Sequence, residues 1–284
     1  MKLLYYCFDW DDNILHMDTK ILMEQNIDNV WSPIDVSTTD FASFRKLDNY
    51  RLPLDEKGNP DYDKAYINFR DTGENGEKAF LQDCVEAIDN MEVGPSYFAF
   101  KKCLIEGSLF AIITARGHEP DSLRKGVKYF IDTQLNPIEL KLMIQNLNKF
   151  VNIFDCENSR KSEDLIDNYL NCCEFLGVSS QFFIDSIEDG DIPDGCDFTP
   201  NDTEISKQIA IEKFAKRCVE YGKSLGDELT CIKIGFSDDD IHNVESIAHI
   251  FENRLKEKFE HVDFVLYDTS KNEDGSKNYI KTNY

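Results

Sequence analysis

Dense positive charge is what this chain lacks most: 31 Lys and Arg stand against 54 Asp and Glu in 284 residues, a net charge of −23. A surface that negative repels nucleic acid and anionic membranes at long range, and no Lys/Arg cluster along the chain compensates. Long apolar runs are missing too. The first one ends at Phe8, too short for a signal h-region or a membrane span. Nine cysteines contain no CxxC pair, and the adjacent Cys172 and Cys173 cannot chelate in zinc-finger fashion, so they read as reduced thiols. The acidic stretch 185–197 lacks the ligand order of an EF-hand. There is no internal repeat. These absences point to a cytoplasmic protein with no membrane partner and leave the oligomeric state open.

What is present is a core. Hydrophobic residues make up 41% of the chain, with 20 Phe and 12 Tyr, enough for one large or two ordinary domains. Apolar runs at 3–9, 109–114, 181–185, 229–236 and 262–268 predict strands. Helical spacing predicts helices over 79–91, 96–107 with Gly107 as its stop, 121–132, 137–150, 162–176 opened by Ser162, 204–222 and 243–259. Residues 18–27 suit a short helix or a flap. The tail from Thr269 reads as frayed. Strand–helix alternation in the last two-thirds predicts an α/β fold, a Rossmann-like parallel sheet with helices on both faces. Residues 30–78 break that pattern: polar, turn-rich and aromatic, they predict an insertion with a small core of Phe41, Phe44, Tyr50, Tyr66 and Phe69.

Three strand ends carry chemistry. Asp9 and Asp11 follow the first strand, Thr114 and Arg116 the second, Asp238 and Asp239 the fourth. In a parallel sheet all three lie on one edge, where open α/β folds bind ligands. That brings carboxylates of the first and fourth strands together, with a hydroxyl between them. Paired carboxylates can supply a nucleophile, a general acid and a ligand for a hard cation. On an acidic protein a phosphate site needs local positive charge, so a lysine should complete the set. Arg116 is open to substrate binding or to an ion pair. His118, beyond it, is within reach of substrate but reads first as a plain loop residue.

With its neighbours Trp10, Asp12 and Asn13, the first pair resembles the DxDx(T/V) signature of haloacid dehalogenase-like (HAD) phosphatases, with Asn13 in place of the usual Thr or Val. The strand end at 112–114 resembles the family's second motif, and GFSDDD at 235–240 its fourth. Lys207 best fits the third, although Lys161 and Lys213 also lie between the motifs. The resemblance spans Asp9 to Asp239, in the family's order. It implies that Asp9 is the nucleophile, that Asp11 is the acid/base with its backbone carbonyl on the metal, and that Thr114 and Lys207 bind phosphate. Asp9, Asp11, Asp238 and Asp239 would be the metal ligands. A frame anchored on Gly235 would favour Asp240 instead.

The resemblance thus implies a HAD core over residues 1–17 and 92–284, elaborated by helices around 137–178, with a cap inserted at 18–91. The implied function is Mg²⁺-dependent hydrolysis of a phosphomonoester through an aspartyl-phosphate, the partner being a small phosphorylated metabolite or nucleotide. Two alternatives stay open. FSDDDIHNVESI also resembles, over a short stretch, the polynucleotide phosphatase and RNA-repair-like branch, so DNA or RNA end processing is one. A non-enzymatic binding protein on the same scaffold is the other.

Overall fold

Alternation along the first strand sets up both layers of the core. In the computed structural model, which describes residues 2–150, 162–193, 198–199, 202–224, 231–270 and 280–284, β1 (Lys2–Phe8) sends Tyr5 to one side and Phe8 to the other. Tyr5 meets Phe214 edge to face at 6.5 Å, and Phe8 meets Phe100 at 5.3 Å. Helices on opposite faces carry those two rings.

The remaining strands are β2 (Ile21–Ile27), β3 (Val30–Val36), β4 (Tyr50–Arg51), β5 (Phe110–Thr114), β6 (Glu174–Gly177), β7 (Cys231–Asp238), β8 (Val262–Asp268) and β9 (Ile280–Asn283). The helices are α1 (Thr38–Phe44), α2 (Tyr62–Ala65), α3 (Ala79–Asp89), α4 (Tyr97–Glu106), α5 (Pro120–Gln134), α6 (Pro137–Leu147), α7 (Ser162–Cys172), α8 (Gln181–Asp185), α9 (Thr203–Ser224) and α10 (Ile241–Ile250). The main sheet runs β6-β5-β1-β7-β8-β9 and is parallel except for β9. Among the described residues no helix is long and apolar enough to cross a membrane.

Four expectations need correction. Residues 18–27 hold no helix: Ile21–Ile27 form β2, which pairs antiparallel with β3. Asp28 and Asn29 join them with φ of 52° and 66°, the two positive values that a two-residue hairpin turn requires. The helix expected to reach residue 176 stops at Cys172, and the third parallel strand is β6. The stretch 181–185 is a helix, because the Ser180 hydroxyl accepts from the Phe183 N–H and starts a turn there. Past Thr269 the chain is not all frayed: Thr269 and Ser270 are buried and β9 pairs with β8. Residues 271–279 lie outside the described part.

The insertion forms its own sheet, β3-β2-β4. Pro33, which cannot donate a ladder bond, sits on the edge strand β3. Its small core is Ile21, Met23, Val36 and Phe69, with Phe41, Phe44, Tyr50 and Tyr66 packed around them. By contrast, Phe80, Cys84, Ala87 and Ile88 of α3 belong to the main core. The insertion is fastened beside the end of β5. Gly117 N–H donates to the Phe69 carbonyl at 2.9 Å, and Asp71 accepts from Glu119 N–H and from the Ser122 hydroxyl.

Candidate functional site

β1 lies between β5 and β7, so Asp9 comes off the middle of three adjacent strand ends. The expected arrangement, with the Thr114 hydroxyl between the two carboxylate-bearing strands, is therefore reordered. Asp238 is on one side of Asp9 and Thr114 on the other.

Asn13 holds this geometry. Its amide N–H₂ donates to the carbonyls of Asp9 and Ser237 at 3.0 and 3.1 Å and to the Ser237 hydroxyl at 3.0 Å. Its oxygen accepts from Thr269. A fully buried amide with both ends satisfied ties the turn after β1 to the end of β7. Neither a Thr nor a Val side chain could make all of these bonds.

Lys207, near the start of α9, is buried between two carboxylates. Its Nζ lies 2.9 Å from Asp9 Oδ1 and 2.7 Å from Asp238 Oδ2. Burial opposes its charge, but Asp238 and Asp9 outweigh that and hold the ammonium well above the usual lysine range. Asp9, Asp238 and Asp239 each bring an oxygen into a cluster within 4.8 Å, a set that could hold a metal ion. The donors are all hard oxygens, which suits a hard cation and not a soft one. Burial pushes the Asp9 carboxyl well above its ordinary value, and Asp238 and Asp11 add to that against the pull of Lys207. Asp239 is pushed up in the same way by burial, then by Asp238 and Asp9. One ammonium does not neutralise three carboxylates, so a cation bound there would relieve their repulsion.

The two oxygens of Asp238 are already occupied, Oδ2 by Lys207 and Oδ1 by Asp240 N–H and Asn243. The Asp240 carboxylate instead caps α10 by accepting from His242 N–H. The structure does not place it in the oxygen cluster. The Asp11 carboxylate is outside it as well.

Asp11 is turned toward β5. Thr114 Oγ1 donates to it at 3.3 Å, and Arg116 grips it with two prongs, Nε to Oδ2 at 2.8 Å and Nη2 to Oδ1 at 2.6 Å. Arg116 is buried, so of its two expected roles the structure shows the ion pair. His118 is buried too, its ring 5.4 Å from Phe80. Burial, then the charge of Arg116, pushes its pKa down to about 3, so it is neutral. Gly177 lets the 116–118 turn sit this close, since a Cβ there would lie 2.4 Å from the His118 carbonyl oxygen. Lys213 is drawn off to Asp191 and Ser186, and Lys161 lies outside the described residues.

Five residues of this region escaped the sequence reading. They are Thr19 and Asp83, which reach Arg116, Ser237 and Thr269, which reach Asn13, and Asn243, which reaches Asp238. Only Ser237, beside Asp238, had a local signal.

No protein-family model, no curated protein and no solved structure matches this chain.

Proposed function

We propose that the chain is a Mg²⁺-dependent phosphomonoesterase of the HAD type. The observation that supports this most is Lys207 lodged between Asp9 and Asp238 at the edge of a parallel sheet, with Asp239 completing an oxygen cluster. In this reading Asp9 attacks phosphorus and the ester oxygen leaves with a proton from Asp11. The Asp9–phosphorus bond then breaks as a water, deprotonated by Asp11, attacks phosphorus. Thr114 and Lys207 hold phosphoryl oxygens. Asp9, Asp238 and Asp239 would hold Mg²⁺, which would supply positive charge against the phosphoryl group. Asp239, to which no described donor is hydrogen-bonded, is the readiest of the three to bind it.

A screen of phosphorylated metabolites with the purified full chain tests the reading. Phosphate release should need Mg²⁺, or a similar hard cation, and stop in EDTA. A mononucleotide or sugar phosphate should exceed a 5′-phosphorylated oligonucleotide in kcat/KM, because a net charge of −23 opposes a polyanion. Activity that survives chelation would contradict the metal site. A preference for the oligonucleotide that weakens steeply with salt would move the function to nucleic-acid end processing.

A further inference from the structure

The grip on Asp11 does not end at Arg116. The guanidinium lies 4.8 Å from the centre of the Phe69 ring and 5.3 Å from that of Phe80. Its Nη2 donates to Thr19 Oγ1 at 2.6 Å, and the Thr19 hydroxyl donates in turn to Asp83 Oδ2. That same carboxylate oxygen is 3.7 Å from Nη1 of Arg116. An arginine only donates and a carboxylate only accepts, so the single hydroxyl between them has a fixed direction. Thr19 is buried on the segment leading into β2, and Asp83 is on α3. Thr19 thus reaches Arg116 from the entry to the inserted sheet, and Asp83 from a helix of the main core.

We propose that Thr19 and Asp83 position the acid/base carboxylate of Asp11 by holding Arg116, so that proton transfer depends on two residues that touch neither the phosphoryl group nor Asp11. The proposal rests on the phosphomonoesterase reading. A guanidinium fixed by two aromatic faces, a hydroxyl and a second carboxylate leaves Asp11 one orientation. Asp11, an ion-pair partner of Arg116, takes up a proton from solvent or from the water of the preceding turnover. In the first step the P–O bond to the leaving group breaks, a P–O bond to Asp9 forms, and that proton goes to the departing oxygen. In the second, a water oxygen bonds to phosphorus, the bond to Asp9 breaks, and the water's proton goes to Asp11. The first transfer matters for a poor leaving group such as an alkoxide. It matters little for a nitrophenolate, which departs without a proton.

Thr19→Val keeps the shape and removes the hydroxyl, whereas Thr19→Ser keeps the hydroxyl. In single-turnover assays Thr19→Val should slow cleavage of a simple alkyl phosphate by about tenfold or more, while nitrophenol release from p-nitrophenyl phosphate stays within about twofold. Thr19→Ser should restore the alkyl rate. Asp83→Ala, at a side chain only 25% exposed and outside the apolar core, should give the same selective loss and supplies the answer if Thr19→Val does not fold. An unchanged ratio of alkyl to aryl rates in a folded Thr19→Val or Asp83→Ala protein, whether both rates fall together or neither does, would overturn the proposal alone. A wild-type chain that cleaves neither ester would overturn the phosphomonoesterase reading and this proposal with it.

Discussion

Asp9→Asn should abolish turnover and leave the protein folded. An amide is a poor nucleophile and a weak ligand for a hard cation, so both roles proposed for Asp9 are lost together. The expected fall in kcat is at least about 10⁴-fold, the scale seen when a catalytic nucleophile is removed. Stability should not fall with it. Burial and two neighbouring acids already push the Asp9 carboxyl up, so its ionised form is a burden on the folded state at neutral pH. Lys207 keeps Asp238 as its partner in the variant. The melting temperature should therefore match or exceed that of the wild type when no metal is present. Near-normal phosphate release by Asp9→Asn would remove Asp9 as the nucleophile.

Lys207→Met should have the opposite balance, with a large effect on stability as well as on activity. Asp9 and Asp238 are buried, and Lys207 is the cation that reaches both. Removing one partner from such a group leaves buried charge without compensation and costs about 3–5 kcal/mol. The sign of its pH dependence follows. Without the ammonium, which pulls it down, the Asp9 carboxyl moves still further above an unfolded value of about 4. Stability is then lost as pH rises from that unfolded value through the folded one and regained as pH falls. Urea denaturation at pH 7.5 and pH 5 should show the deficit shrinking at the lower pH, and Mg²⁺ should recover part of it at the higher one. A Lys207→Met protein as stable as wild type at pH 7.5 without metal would mean that the lysine does not carry this charge.

The strands that meet at the site were legible because their signals are local. A six-residue apolar run ending in Asp9 has few readings, and so has a helix stopped by Gly107, which has a φ of 68°. Lys207 was singled out among three lysines only through the resemblance, which puts a lysine at the start of a helix ahead of the strand that ends in Asp238. Short elements were less legible. Four residues of β6 follow α7 with no breaker between them, and the apolar QFFID suits a strand as well as a helix. The β2–β3 hairpin carried a usable sign in Asp28-Asn29, two residues tolerant of positive φ between two apolar stretches. The sequence put Thr114 and Arg116 on the same edge as Asp11, but neither their pairing with it nor the reach of Thr19 and Asp83 could be read. Arg116, Thr19 and Asp83 converge through strand order and the docking of α3, at separations of 64 to 105 residues. The roles of Asn13 and Arg116 follow from those contacts and not from their neighbours in sequence.

The central claim is a covalent bond between Asp9 and the phosphoryl group. Mixing the Mg²⁺-loaded chain with a substrate it turns over, quenching at short times and treating with borohydride tests this directly. Hydride reduces an acyl phosphate to an alcohol and spares a free carboxylate. The peptide containing residue 9 should carry homoserine in place of aspartate, only when substrate was present and never in Asp9→Asn. Turnover with no homoserine at residue 9, or with homoserine at another aspartate, would contradict the account.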